Sequence, residues 1–227
     1  MTYQAGFIIS ANCLDACRNK HNQTIKITKR RKPMRNLFLL GSPHKNGNSE
    51  TMAKAVAEGL LQTAGNSVEF IHLNDLQLRP CQACGGCTPS GNCVILDDME
   101  ELYLKTDEAD RLFFVSPIYF YGLSAQLKSY IDRCQARWAR KYLLGERFRA
   151  DEKRGGYLLS CASTNGKKLF DGPILVIKCL CDTLDLEYGK PLLLRNLESR
   201  KDLQNLPEEM AKCKQYGVEI ATSHRLS

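Results

Sequence analysis

From residue 34 onward, the pattern of apolar and polar residues changes from one segment to the next, and these segments predict alternating strands and helices. Five short runs, either mostly apolar or alternating with period two, have the length and pattern of β-strands. We predict these strands over residues 36–40, 67–73, 111–116, 156–162 and 191–195. The first and third runs are mostly apolar, with the polar residues Asn36, Arg111 and Ser116 at their ends. Such runs are typical of parallel strands that are buried on both faces of a sheet.

Segments with helical periodicity separate the strands. The first helix is predicted to begin near Ser49, and later ones over residues 97–105, 123–137, 173–184 and 207–221. In the first helix, one face is predicted to be formed by Ala53, Val56, Ala57, Leu60 and Leu61. Five strands that alternate with five helices predict an α/β domain with a doubly wound parallel sheet. We expect strand order 2-1-3-4-5, with helices on both faces of the sheet.

Charge is distributed unevenly along the chain. The net charge is +7, and residues 1–33 carry seven Lys or Arg residues and one Asp. Residues 34–227 contain 25 basic and 24 acidic residues and are therefore nearly neutral. The basic cluster has no interleaved aromatic residues, so we do not expect a nucleic-acid partner. We predict that residues 1–33 are a disordered extension and that residues 34–227 form one domain.

Targeting signals and disulfide patterns are not evident. No apolar stretch reaches the roughly 18 residues of a membrane span. The short apolar patch near the N-terminus precedes the basic residues, which is the reverse of a secretory signal. Eleven cysteines, an odd number, argue against a disulfide scaffold. We therefore expect a cytoplasmic protein that does not associate with membranes.

The loop Gly41–Ser49 joins the first predicted strand to the first predicted helix. Backbone N–H groups and the helix dipole make such a loop a natural anion site. It lacks the Gly-Lys-Ser/Thr of a Walker A loop and the Gly-x-Gly-x-x-Gly of a dinucleotide fingerprint. The candidate phosphate ligands are Ser42, His44, Asn48 and Ser49. The alternative is a capped turn that binds no ligand.

Two further loops follow predicted strands at their carboxyl ends, where open α/β sheets bind ligands. In the loop 116–122, Pro117, Ile118, Tyr119 and Phe120 can wall one side of a flat ring. In the loop 161–166, Ser163 and Asn165 can form hydrogen bonds with a ring edge. The alternative for the loop 116–122 is that its aromatic residues belong to the core. The alternative for the loop 161–166 is an ordinary polar turn that binds no ligand.

Four cysteines are concentrated in the long loop 79–96, with the spacing Cys-x2-Cys-x2-Cys-x5-Cys. They are Cys81, Cys84, Cys87 and Cys93. This compact spacing suits a [4Fe-4S] cluster better than zinc, because structural zinc sites usually use two pairs separated by a longer loop. Thiols that hold no metal are a further possibility.

The chain resembles the flavodoxin-like NADPH-dependent FMN reductase family in two motifs. They are residues 41–49 and residues 116–122 with the following segment 123–133. The resemblance covers about residues 34–222. It implies that the first loop holds the FMN phosphate and that residues 117–120 contact the isoalloxazine ring. The family often carries Arg where this chain has His44. The cysteine motif, with Pro80 before it and residues 94–99 after it, resembles that of the iron-sulfur flavoproteins, which implies electron transfer between a [4Fe-4S] cluster and FMN.

Three functions follow as hypotheses. The first is an FMN-dependent NAD(P)H oxidoreductase that reduces a small-molecule or protein acceptor, with chemistry on the flavin and no catalytic side chain. The second is an iron-sulfur flavoprotein that transfers electrons between a ferredoxin-like donor, the cluster and FMN. The third is a non-catalytic module that binds a partner through its basic tail. Flavin sites in the resembling families commonly lie near dimer interfaces, so we expect a homodimer or a higher homo-oligomer.

Overall fold

Six parallel strands form one sheet in the computed structural model, which describes residues 33–223. Nearly all of the predicted N-terminal extension, residues 1–33, lies outside the described residues, so its predicted disorder stays a prediction. The strands are β1 (Met34–Leu40), β2 (Asn66–His72), β3 (Arg111–Pro117), β4 (Gly155–Cys161), β5 (Glu187–Tyr188) and β6 (Leu192–Leu194).

The strand order is β2-β1-β3-β4-β5, which confirms the predicted doubly wound 2-1-3-4-5 arrangement. The fifth position differs from the prediction because two short strands share it. β5 pairs with β4 at Gly155 and Gly156, and β6 pairs with β4 at its carboxyl end. The segment between them contains Pro191, which has no N–H group to donate to a sheet ladder.

The described residues contain six α-helices, of which the first five lie between strands and the last follows β6: α1 (Asn48–Leu61), α2 (Met99–Glu108), α3 (Ala125–Arg133), α4 (Gln135–Trp138), α5 (Asp171–Thr183) and α6 (Pro207–Ser223). The single helix predicted over 123–137 is divided at Cys134 and continues as a π-helical turn, Ala139–Leu143. The Ser124 side chain caps α3 by accepting a hydrogen bond from the Leu127 N–H at 3.4 Å. Among residues 33–223, no helix is both long and apolar enough to cross a membrane.

Alternate residues of the central strands supply two separate cores, one on each face of the sheet. On one face the rings of Phe38 and Phe113 stack at 4.1 Å, and Tyr157 lies 5.0 Å from Phe113. Helices α1 and α6 cover this face. On the other face α2, α3 and α5 pack against residues such as Leu39 and Phe114. The α/β fold with helices on both faces is therefore confirmed, and the carboxyl ends of β1, β3 and β4 lie side by side.

Candidate functional site

A cavity of about 270 Å³ lies at the carboxyl ends of β1, β3 and β4. Adjacent parallel strands end at the same edge of a sheet, so the loops that follow them meet there. The lining residues come from the three predicted loops and from a fourth segment, residues 197–200. Eight of the ten candidate cofactor-binding residues line it: Ser42, His44, Asn48, Ser49, Pro117, Ile118, Tyr119 and Ser163.

The other two candidates, Phe120 and Asn165, are exposed and are not among the lining residues. Phe120 is the first of two successive residues with positive φ, 47° at Phe120 and 61° at Tyr121. These residues form the tip of a tight turn closed by two backbone hydrogen bonds between Tyr119 and Gly122, at 3.0 and 2.8 Å. The turn directs the backbone away from the cavity after Tyr119, which sequence periodicity does not reveal.

The N-terminus of α1 forms one end of the cavity. Its N-cap residue, Gly47, provides no side-chain cap. The first intrahelical bond runs from the Thr51 N–H to the Gly47 carbonyl at 2.9 Å, so the N–H groups of Asn48 and Ser49 precede the helical ladder. An uncapped end of a 14-residue helix, with its dipole, favours an anion at this position.

Two charged residues of the first loop and helix are neutralised by partners of their own. The Lys45 ammonium group pairs with Asp75 at 2.6 Å. The buried Glu50 carboxylate accepts a hydrogen bond from the Asn46 N–H and pairs with Lys54 at 2.7 Å. Burial by itself would raise the pKa of Glu50, but these partners outweigh it and the pKa is lowered. Neither side chain brings net charge to the cavity.

Asn48 and Ser49 connect the first loop to other parts of the cavity wall. Asn48 Nδ2 donates to the Ser199 carbonyl at 2.7 Å, and Asn48 Oδ1 accepts from the Leu203 N–H at 3.0 Å. Ser49 Oγ lies 3.1 Å from Cys161 Sγ at the end of β4. Both polar atoms of the Asn48 side chain are therefore engaged within the protein.

The segment 197–200 is the part of the cavity wall that the sequence reasoning missed. It follows β6, and Arg200 donates a hydrogen bond to the Lys45 carbonyl of the first loop. Among the lining residues, Arg200 and His44 can carry positive charge, and the exposed Glu198 carries negative charge. The rule that found the other loops, that ligands bind beyond the carboxyl ends of strands, applies equally to this segment.

A second cavity of about 500 Å³ is lined by all four cysteines of the loop 79–96. Arg133 and residues of α4 complete the wall. Cys81 and Cys84 are exposed, whereas Cys87 and Cys93 are partly buried, and none of them forms a disulfide. Burial raises the pKa of Cys87, and the three neighbouring thiols raise it further.

The four thiols share this cavity, but their side chains do not converge on one point. Within residues 33–223, no group of three or more His, Cys, Asp or Glu side chains is arranged to hold a metal ion. Positive φ angles at Ala83 (52°), Gly85 (70°) and Gly91 (66°) make the loop turn sharply between its cysteines. The donors therefore match thiolate ligation in chemistry, and they share a cavity without converging on a single point.

Comparisons with known proteins agree with this architecture. An iron-sulfur flavoprotein of Methanocaldococcus jannaschii is 37% identical over 133 residues, which cover 59% of this chain and 65% of that protein. A NAD(P)H dehydrogenase (quinone) of Chromohalobacter salexigens is 30% identical over 120 residues, 53% of this chain and 54% of that protein. The chain thus spans about half to two thirds of the length of these curated relatives.

Solved structures share the fold at low sequence identity. An FMN-dependent NADH-azoreductase from Bacillus anthracis superposes with a TM-score of 0.62 at 14% identity, and the match covers 83% of this chain and all of that one. The family model for NADPH-dependent FMN reductase matches residues 34–155, more than half of the chain. This range includes β1 to the start of β4 and the cysteine loop. The chain therefore belongs to the NADPH-dependent FMN reductase family.

Proposed function

We propose that this protein binds FMN in the cavity beyond β1, β3 and β4 and acts as an NAD(P)H-dependent flavin oxidoreductase. The observation that carries the proposal is the convergence of three strand-end loops on one cavity whose far wall is an uncapped helix N-terminus. Membership of the NADPH-dependent FMN reductase family supports the same cofactor and donor.

The residues of this cavity suit the two ends of FMN. The backbone N–H groups at the start of α1, with Ser42 and His44, offer donors for a phosphate. Arg200 adds a permanent positive charge to a site that has His44 where the family often has Arg. Pro117, Ile118 and Tyr119 supply an apolar wall for the ring system. Ser163 supplies a hydroxyl for its polar edge.

When bound, FMN supplies the capacity to accept a hydride from a reduced nicotinamide and to pass electrons on to an acceptor. The side chains of this protein would bind and orient the cofactor. Ile118 and Tyr119 would hold the ring system, and the first loop would hold the phosphate. None of these side chains needs to form a covalent bond with the substrate. We also propose that the electron acceptor is a small molecule or another protein.

A second candidate function is an iron-sulfur flavoprotein, in which Cys81, Cys84, Cys87 and Cys93 hold a [4Fe-4S] cluster. The observation that favours it is that all four thiols line one cavity, free of disulfides. Curated relatives named iron-sulfur flavoproteins support it. A cluster would supply one-electron chemistry, and the loop would supply its thiolates.

A homodimer or higher homo-oligomer is also part of the proposal. Tyr119, Phe120 and Tyr121 are largely exposed beside the first cavity, and exposed aromatic residues are enriched at protein interfaces. Light scattering of the purified protein at several concentrations measures the assembly directly. A mass of one chain at all concentrations would contradict this part of the proposal.

The decisive experiment combines spectroscopy and turnover on one anaerobically purified sample. We expect a flavin spectrum and steady oxidation of NADH or NADPH with an artificial acceptor. Iron and sulfide assays then separate the two candidates, because about four irons per chain are expected for a cubane cluster. Reduction by ferredoxin alone, with no oxidation of either nicotinamide, would exclude the first function and leave the second.

A further inference from the structure

The side chain of Arg133, the last residue of α3, is buried beside the cysteine loop. Only 2% of the residue is exposed. Its guanidinium group pairs with Asp97 through two hydrogen bonds, at 2.7 and 3.0 Å. It also donates to the backbone carbonyls of Arg79 at 2.8 Å and Ile95 at 3.0 Å.

These acceptors lie on both sides of the four cysteines. Arg79 precedes Cys81 by two residues, and Ile95 follows Cys93 by two. Asp97 also holds the start of the loop directly, because its carboxylate accepts a hydrogen bond from the Arg79 N–H at 3.0 Å. A single ion pair thus joins the start and the end of the loop.

The ion pair is also connected to the rest of the fold. Asp97 accepts a hydrogen bond from the Met99 N–H at 3.1 Å, where α2 begins, and Arg133 is fixed by α3. Burial by itself would raise the pKa of Asp97, but Arg133 and the two backbone N–H groups lower it overall. The carboxylate is therefore ionised at neutral pH, and its charge is balanced within hydrogen-bond distance.

Arg133 is one of the residues that line the cavity of the four thiols, but its side chain is buried, with 1% of its surface exposed. Its buried Nε has no hydrogen-bond partner among the described residues. A buried N–H without a partner is unusual, because it loses its hydration without compensation. This cost is offset by the four hydrogen bonds of the two terminal nitrogens, which hold the side chain against the loop.

We propose that Arg133, held by Asp97, is the positioning residue of the cysteine site. It closes the loop 79–97, so that Cys81, Cys84, Cys87 and Cys93 line one cavity. The expected effect on iron content rests on the second proposed function, in which these cysteines hold a [4Fe-4S] cluster. The closure of the loop is independent of that function.

The chain offers a matched control. Arg137 lies one helical turn beyond Arg133 and forms a similar buried pair with Asp107, at 3.0 and 2.5 Å. It packs over the ring of Tyr103 at 4.2 Å. These partners belong to α2, outside the loop 79–97. Arg137→Met therefore removes a buried charge pair without releasing the loop.

The test compares Arg133→Met, Arg133→Lys, Asp97→Asn and Arg137→Met with the wild-type full-length chain. Iron and FMN are assayed in each protein after anaerobic purification. Each protein is then stripped with a chelator, and iodoacetamide labelling of each cysteine is followed by mass spectrometry. Circular dichroism identifies any variant that does not fold.

We expect Arg133→Met and Asp97→Asn to lose most of their iron and to retain FMN. Labelling of Cys87 and Cys93 should accelerate about tenfold in the stripped proteins, because the loop opens more readily. Arg133→Lys should restore part of both properties, since an ammonium group can bridge fewer acceptors. Arg137→Met should match the wild type in iron content and in labelling rate.

Wild-type iron content and labelling rates in Arg133→Met would overturn the inference. It would also be overturned if Arg137→Met changed both readouts as much as Arg133→Met does. If the wild-type chain itself contains no iron, the cluster proposal fails, and the labelling rates alone decide whether Arg133 closes the loop. If Arg133→Met does not fold, Arg133→Lys and Asp97→Asn give the same comparison.

Discussion

Asn48, at the start of α1, donates a hydrogen bond through its side-chain amide to the Ser199 carbonyl at 2.7 Å. The two residues are 151 positions apart in the sequence. Together with the bond from the Leu203 N–H to Asn48 Oδ1, this contact holds the segment after β6 against the first loop. One asparagine therefore helps to form two walls of the proposed FMN site.

Replacing Asn48 by Ala should weaken FMN binding and lower stability. The buried Leu203 N–H and the partly buried Ser199 carbonyl lose their partner. A buried group left unsatisfied costs about 1–3 kcal/mol. Flavin fluorescence titration measures the affinity, and urea unfolding measures the stability. Asn165→Ala, at an exposed position outside the cavity, is the control. Unchanged FMN affinity in Asn48→Ala would mean that the segment 197–203 does not shape the cofactor site.

Arg200→Ala should reduce affinity for FMN more than affinity for riboflavin, because riboflavin lacks the phosphate. Loss of one charge-assisted hydrogen bond is worth about 1.5–3 kcal/mol, or at least tenfold in the dissociation constant. Lys201→Ala, at the exposed neighbouring position, should leave both affinities unchanged. An equal loss for the two flavins would indicate that Arg200 supports the loop and does not contact the phosphate.

Cys161 should react slowly with iodoacetamide at neutral pH. Burial raises the pKa of its thiol, although the hydrogen bond with Ser49 partly offsets the effect. The thiolate is the nucleophile, so the labelling rate should rise only in alkaline solution. Ser49→Ala should shift this rise to still higher pH. Exposed Cys179 serves as the internal reference. Fast labelling of Cys161 at pH 7 would contradict its buried position.

Phe120→Gly should be more stable than Phe120→Ala. Both variants remove the exposed ring, but only glycine adopts a φ of 47° without steric cost. We expect a difference of about 0.5–1 kcal/mol in the free energy of unfolding, in favour of glycine. Urea denaturation of the two variants measures it. Greater stability of the alanine variant would contradict the observed turn geometry.

Local patterns were sufficient to predict most of the architecture. Apolar strands such as 111–116 and helices such as 207–221 have periodicities that depend only on nearby residues, and the structure confirms both to within two residues. The division of the fifth strand position and the break at Cys134 were not predicted. β5 is defined by its pairing with Gly155 and Gly156 of β4, a contact that no local pattern reveals.

The candidate site shows the same distinction. Loops that directly follow a clear strand, such as Gly41–Ser49, are recognisable from their polar and glycine residues. Arg200 and Arg133 are not, because an isolated arginine has no pattern around it. Their importance comes from partners 155 and 36 positions away, the Lys45 carbonyl and Asp97.

The sequence by itself determined the order of the elements, the family and the four clustered cysteines, since each follows from neighbouring residues and their spacing. The tertiary structure alone decided which residues enclose each cavity. Eight of the ten candidate FMN residues meet there, but the tight turn after Tyr119 leaves Phe120 outside it. The physical reason is that a cavity wall is formed by contacts between distant segments, and only the folded backbone sets the distances between them.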